Sequence, residues 1–299
     1  MPSSPAPQLR ARVRHAPRAR RGGVPAWLPL ALLAAGVVAW QRGLADRVER
    51  TGFGRVEASQ VRADLEQPWA DPRWSLELRQ AVADGGAIDP EDSAALEALR
   101  ARLEGLSFVR AATQPRVLWP DGLELNVRLR RPLACVAWGD AFLLVDDEGV
   151  LLSGAWDVPP SLDGMFLPVL GERDGALDAL RPGDALVERR HLDALSIARS
   201  LWEHVDPSWG PWIGRLQIVA DDVDLASVEI PGAVLRLEGG REAWFGRSPN
   251  KVSPGELPVA QRWSNLVHVL ERTADSAEWA VADLRFDRPA LSARVEEPR

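Results

Sequence analysis

The sequence predicts an α+β protein: one N-terminal transmembrane helix, then a small helix-plus-strands module and a larger strand-rich domain. Three observations predict it. An uncharged run sits directly behind a group of arginines near the N-terminus. A capped, leucine-striped helix is followed by two strands across a Pro-Asp-Gly turn. From residue 137 onward, short strand-like segments outnumber helical ones. A chain of 299 residues is long enough for an anchor and two small cores.

The run from Val24 to Trp40 is 17 residues without a charge, and about 17–25 such residues cross a hydrocarbon core. Trp27 and Trp40 fall near its ends, where the headgroup region favours an aromatic ring with a polar N–H. Six arginines precede it (Arg10, Arg12, Arg14, Arg18, Arg20 and Arg21), so the positive-inside rule places the N-terminus in the cytoplasm and the rest of the chain outside. A cleaved signal peptide is the rival reading, with Val37 and Ala39 at the −3 and −1 positions. The length of the run, the bulky Trp40 and the charged, helix-like residues 44–50 favour an uncleaved anchor. The expected organisation is a basic tail over 1–23, the span over 24–40, a charged linker over 41–72, the small module over 73–136, the strand-rich domain over 137–295 and a tail over 296–299.

The net charge of −7 hides a split. Residues 1–42 carry seven arginines and no acid; removing those from 36 basic residues leaves 29 against 43 acidic, a remainder near −14. An acidic body of this kind argues against nucleic acid or anionic lipid as its ligand. Cys135 is the only cysteine, which excludes an intrachain disulfide. Its apolar surroundings, Leu133-Ala-Cys-Val-Ala137, read as those of a buried, inert thiol.

In the small module, Trp74-Ser-Leu-Glu-Leu-Arg79 alternates and reads as a strand. Asp89 reads as a helix N-cap, with Pro90 at the first position and Glu91 and Asp92 in the first turn. Leu96, Leu99, Leu103 and Leu106 then form one apolar helix face. A strand over 108–118 leads to the turn Trp119-Pro-Asp-Gly122. Beyond it, Leu123, Leu125, Val127 and Leu129 alternate with polar residues, the pattern of a half-buried strand.

After Pro132 strands dominate. Residues 142–152 read as a hairpin turning at Asp147-Glu-Gly149. Helices are expected over His191–Val205 and Val259–Glu271, each with one apolar face. Strands are expected near 215–219, 226–230, 233–238 and 242–246, with Gly239-Gly240 as a hairpin turn. The last two fall near 279–286 and 290–295.

A search for chemistry finds little. The four histidines (His15, His191, His204 and His268) show no paired metal spacing, and no H-E-x-x-H, G-x-S-x-G, Walker or G-x-G-x-x-G motif occurs. Two acidic clusters, Asp146-Asp-Glu148 and Asp221-Asp-x-Asp224, carry the residue types for a cation site or an acid/base pair. Each falls between strand signals, where Asp and Gly suit turn geometry, so the turn reading is preferred. No catalytic residue, cofactor or metal is expected, and no small-molecule substrate; the chain is expected to work by binding other proteins.

Several local strings in order are similar to those of one family. Leu106-Ser-Phe-Val-Arg-Ala-Ala, Val117-Leu-Trp-Pro-Asp-Gly-Leu-Glu-Leu-Asn-Val and Arg130-Arg-Pro-Leu-Ala134 resemble the end of a POTRA module. Leu144-Val-Asp-Asp-Glu-Gly-Val150, Leu167-Pro-Val-Leu-Gly171, Phe245-Gly246-Arg247 and Ala282-Asp-Leu-Arg-Phe-Asp287 resemble parts of the β domain behind it. Together they resemble the FtsQ/DivIB family of bacterial cell-division proteins, over about residues 24–295. Two departures are plain: no first strand with a Gly turn is recognisable over 57–88, and Pro-Gly-Ala at 231–233 lacks a basic residue that some members carry.

The resemblance implies a POTRA-like module, a β domain and a non-enzymatic, membrane-anchored scaffold at the bacterial inner membrane. Its partners would be bitopic division proteins of the FtsB/FtsL type, and its role would include control of septal cell-wall synthesis. Carried over by position, the partner-binding residues are Leu284, Arg285, Phe286, Asp287, Arg288, Ala290, Leu291 and Ala293. β-Augmentation along an open edge strand is the physical basis, with Phe286 as an aromatic anchor. Two alternatives stay open. One is a POTRA-type envelope transport or chaperone protein that binds polypeptides. The other is an envelope hydrolase with an unrecognised site, which substitution of Asp146, Asp147 or Asp222 would test.

Overall fold

The computed structural model describes residues 33, 35–43, 55–64, 67, 69–118, 122–173, 177–251, 255–273 and 279–293. The chain forms two compact units, Met1–Phe53 and Gly54–Arg299. The expected basic tail (1–23), the first part of the expected span (24–32), the turn residues 119–121 and the tail 296–299 lie outside the described residues.

The expectation of a transmembrane helix is overturned. Among the described residues, no helix is long and apolar enough to cross a membrane. In the first unit, residues 33 and 35–43 are helical. The second unit is α+β.

Its N-terminal part is a βααββ module. It opens where Val56 exchanges backbone hydrogen bonds with Ile88, then forms β1 (Val61–Asp64), α1 (Pro72–Ala83), α2 (Ser93–Glu104), β2 (Val109–Ala112), β3 (Arg116–Leu118) and β4 (Gly122–Leu129). β4 is central. β1 runs parallel to it on one side; β2 and β3 share its other side as one strand broken at Thr113-Gln-Pro115. The module's sheet thus takes in residues assigned from sequence to the linker.

Two local expectations are corrected here. Residues 74–79 are helical, not a strand. Asp71 is an N-cap, accepting from Arg73 N at 2.9 Å, and Pro72 holds the first position. The buried residues Trp74, Leu78, Ala81 and Val82 follow helical spacing, while Leu76 is 67% exposed. The Trp-x-Leu-x-Leu alternation was therefore a coincidence of composition. Conversely, Asp89-Pro90 forms a turn (Glu91 N donates to Asp89 Oδ1, 2.9 Å), and α2 starts three residues later on the Asp92 cap.

The larger part is built on one sheet of nine strands among the described residues. These are β5 (Pro132–Trp138), β6 (Ala141–Asp146), β7 (Leu151–Trp156), β10 (Val169–Leu170), β11 (Gln217–Val219), β12 (Ala233–Leu237), β13 (Arg241–Gly246), β14 (Trp279–Asp283) and β15 (Ala290–Ala293); β8 (Ser161–Leu162) and β9 (Met165–Phe166) form a separate small hairpin. The sheet order is β15-β14-β13-β12-β11-β10-β5-β6-β7. Residues 226–230, expected as a strand, are a loop behind a 3₁₀ turn at Val223–Leu225. Helices α3 (Arg189–His204) and α4 (Val259–Arg272) pack on one face, burying Ala198, Leu201, Trp263 and Leu266 against Val136, Ile218, Leu235 and Phe245.

The opposite face changes character along its length. One row of paired residues crosses the whole sheet: Leu152, Leu144, Cys135, Val169, Gln217, Arg236, Glu242, Val281 and Ser292. Its apolar end lies under the small module, in a shared core with Trp74, Phe108, Leu123 and Leu125. Where the module ends, the row turns polar at Gln217, Arg236 and Glu242. Pleating puts all nine on one face; burial under the module decides which of them are hydrophobic.

The junction is closed by side chains that use up backbone groups of β7. Trp74 Nε1 donates to Ser153 O (3.0 Å), Arg73 Nη1 donates to Ala155 O (2.9 Å), and Ser107 Oγ accepts from Ser153 N (2.8 Å). Trp74 also stacks on Phe108 with ring centroids 5.1 Å apart.

Candidate protein-docking edge

At the far side of the sheet, β14 leads through residues 284–289 into β15. β15 is the outermost strand, and all four of its residues are exposed. An outer strand presents unpaired N–H and C=O groups to any incoming chain. Among the described residues the two edges of the sheet differ: β7 is hydrogen-bonded by the small module and by residues 183–184, and no strand lies beyond β15.

The segment that carries this edge is held from behind. Leu284 is fully buried, and its N–H donates to Trp244 O (3.1 Å). Asn265, buried on α4, donates through its amide nitrogen to Leu284 O (3.1 Å) and Phe286 O (2.9 Å). Arg285 is also buried. Its Nε and Nη2 make a two-pronged contact with Asp283 (2.8 and 2.7 Å), while its remaining donors reach the carbonyls of Ser227, Val228 (3.2 Å) and Ile230 (3.0 Å). The guanidinium lies 5.4 Å from the Trp244 ring centroid and 5.7 Å from that of Phe286.

Arg262 of α4 is a second buried arginine here, donating to Phe245 O (3.0 Å), Arg247 O (2.9 Å) and Leu257 O (2.9 Å) and pairing with Glu256 (3.1 Å). Burial lowers its pKa from the ordinary guanidinium value; Glu256 opposes this and Arg285 adds to it. Gly246 fits between the two arginines. Its φ is +90°, and an added Cβ would stand 3.2 Å from Arg285 and 3.3 Å from Arg262, so both conformation and space call for glycine.

The eight residues named from sequence thus separate into two groups. Leu284 belongs to the core. Arg285 is spent inside the fold and presents no free fork to a partner. Phe286 (46% exposed), Asp287, Arg288, Ala290, Leu291 (47% exposed) and Ala293 are exposed on the bend and edge strand. Asn265, Asp283 and Trp244, which position this segment, were missed. One signal was available: Arg262 and Asn265 are polar residues on the apolar stripe of α4, at the spacing that faces a core.

In the acidic clusters, Asp146, Asp147, Glu148, Asp221 and Asp224 pair with the protein's own cations. Asp146 is fully buried and caps the β6–β7 turn, accepting from Glu148 N (2.9 Å) and Val150 N (2.8 Å); its other oxygen accepts from Arg130 (2.7 Å). Glu148 pairs with Arg130 (2.6 Å) and Arg110 (2.5 Å), and Asp147 with Arg110 (3.2 Å). Asp224 is paired with Lys251 (2.8 Å) and Arg189 (3.1 Å). Among the described residues no group of three or more His, Cys, Asp or Glu is arranged to hold a metal ion. Cys135 is buried, and desolvation pushes its thiol pKa far up.

Compared with known proteins, the chain matches no family model and no curated protein.

Proposed function

We propose that this protein is a non-enzymatic scaffold of the bacterial cell-division machinery, of the FtsQ/DivIB kind, acting on the outer side of the cytoplasmic membrane. It binds partners of the FtsB/FtsL type along β15 and helps control septal cell-wall synthesis. The observation that carries this reading is β15, outermost in the sheet among the described residues and exposed at all four positions, with the exposed Leu291 within it and the exposed Phe286 on the bend before it. A partner strand added to that edge gains backbone hydrogen bonds, and the two apolar side chains supply its anchors. The order of a helix-plus-strands module followed by a strand-rich domain supports the same reading. So does the pairing of Asp146, Asp147, Glu148 and Asp224 with the protein's own cations, which leaves those carboxylates poorly suited to chemistry.

Photoreactive residues at 286 and 291 test it in dividing cells. The expected product is a crosslink to a bitopic division protein, lost when Phe286→Glu is introduced elsewhere in the same chain carrying the probe at 291. No crosslink to any division protein from either position would overturn the reading.

A further inference from the structure

The loop of residues 223–230 holds the buried Arg285. Its carbonyls at Ser227, Val228 (3.2 Å) and Ile230 (3.0 Å) accept from the two Nη atoms of that guanidinium, which lies 5.7 Å from the Phe286 ring centroid. The loop is closed on itself as well: Ser227 N donates to Ile230 O (3.0 Å), and Ile230 N donates to Ser227 Oγ (3.1 Å).

The turn that follows β13 pins this loop from its other side. Arg247 Nη2 donates to Ala226 O (3.2 Å), and Lys251 Nζ meets Asp224 at 2.8 Å. That turn is in its own right tied to α3. Lys251 Nζ also donates to Asp193 (2.8 Å), and the hydroxyls of Ser248 and Ser196 share a hydrogen bond of 2.6 Å. Asp193, Ser196 and Ser248 are buried. An ammonium has three donors and can serve both carboxylates at once, so Lys251 joins the loop to the helix. Arg189 reaches Asp224 too, at 3.1 Å, but its side chain is 70% exposed against 21% for Lys251, and solvent weakens such a pair. The Asp224 carboxyl accordingly sits below its ordinary pKa chiefly through the hydrogen bond from Lys251, with Arg189 a lesser cause.

We propose that Lys251 is a positioning residue for the docking edge. By fixing Asp224 to Asp193 it holds the 223–230 loop, and through it Arg285, where Phe286 is turned outward for a partner at β15. The effect on partner capture rests on the scaffold reading above; the hold on Arg285 does not.

The test uses the full-length chain. Hydrogen exchange is followed by NMR at Arg285 Nε–H and, as a measure of the core, at the backbone N–H of Leu125 in β4. Lys251→Gln is expected to speed exchange at Arg285 about tenfold, the scale of one hydrogen bond to a charged group, with Leu125 unchanged. Lys251→Arg, which keeps the charge, is expected to exchange as wild type does. Lys251→Gln also strips the buried Asp193 of a partner, so Asp224→Asn is a second arm: it frees the loop, leaves Lys251 on Asp193 and is expected to speed exchange at Arg285 about threefold. In dividing cells, the crosslink from a probe at 291 should fall to about half or less in Lys251→Gln and persist in Lys251→Arg. Unchanged exchange at Arg285 in both Lys251→Gln and Asp224→Asn would overturn the proposal. So would equal acceleration at Arg285 and Leu125, or an undiminished crosslink in Lys251→Gln. Absence of any crosslink in the wild type would instead count against the scaffold reading, and exchange at Arg285 would still decide whether Lys251 holds the bend.

Discussion

One side-chain amide, that of Asn265 on α4, donates to two carbonyls two residues apart, Leu284 O at 3.1 Å and Phe286 O at 2.9 Å. This contact sets how the chain leaves the core at Leu284 and turns outward at Phe286. Replacing Asn265 by leucine leaves both carbonyls without that donor. The expected loss is about 1–3 kcal/mol of stability, read by urea denaturation, together with weaker partner capture at β15. Unchanged stability would mean that the bend is held by β14 pairing alone.

Arg285 is a structural residue. Arg285→Ala leaves Asp283 nearly buried without its counter-charge and three carbonyls of the 227–230 loop without a donor. Removing one member of a buried pair typically costs about 3–5 kcal/mol. Thermal unfolding of the isolated protein should therefore show a large drop. An arginine reserved for a partner would leave Tm unchanged.

Trp74 joins the small module to the sheet through its stack on Phe108 and its bond to Ser153 O. Trp74→Ala is expected to cost about 3–5 kcal/mol, the usual range for emptying a large aromatic site. Because one apolar core runs from Leu123 to Leu152, wild-type residues 54–299 should unfold in a single transition. Calorimetry that resolved two transitions in the wild type would contradict a shared core.

Glu148 ties the β6–β7 turn to β2 and to the end of β4. Its pKa is lowered, first by the hydrogen bond from Arg130 and then by that from Arg110. A depressed carboxylate stabilises the fold above its unfolded pKa, and that contribution is lost as pH falls through the folded value. The Glu148→Gln variant should therefore differ from wild type at neutral pH and converge with it on acidification below the ordinary carboxylate range. A constant difference down to pH 3, measured by denaturation across the pH series, would show that the ion pairs contribute nothing.

Much of the fold was legible in local pattern. The alternation of Leu123, Leu125, Val127 and Leu129 gives β4, and the apolar stripe of Trp263, Leu266 and Leu270 gives α4, because period and burial are properties of neighbouring residues. Asp71-Pro72 and Asp89-Pro90 carry the same local signal, yet only the first starts a helix. The choice went to the segment whose helical face, Trp74, Leu78 and Val82, had a sheet and a second helix to pack on.

What the sequence determined by itself was the α+β character, the amphipathic helices and strands, and a lone cysteine in apolar surroundings. Only the tertiary structure decided which residues of 284–293 are core, clamp or edge. The reason is range: Arg285 is fixed by carbonyls 55–58 residues away, and Cys135 and Ser292 share a row whose polarity depends on where the small module stops. Side-chain period announces a face, and a distant partner determines whether that face is buried, spent or free.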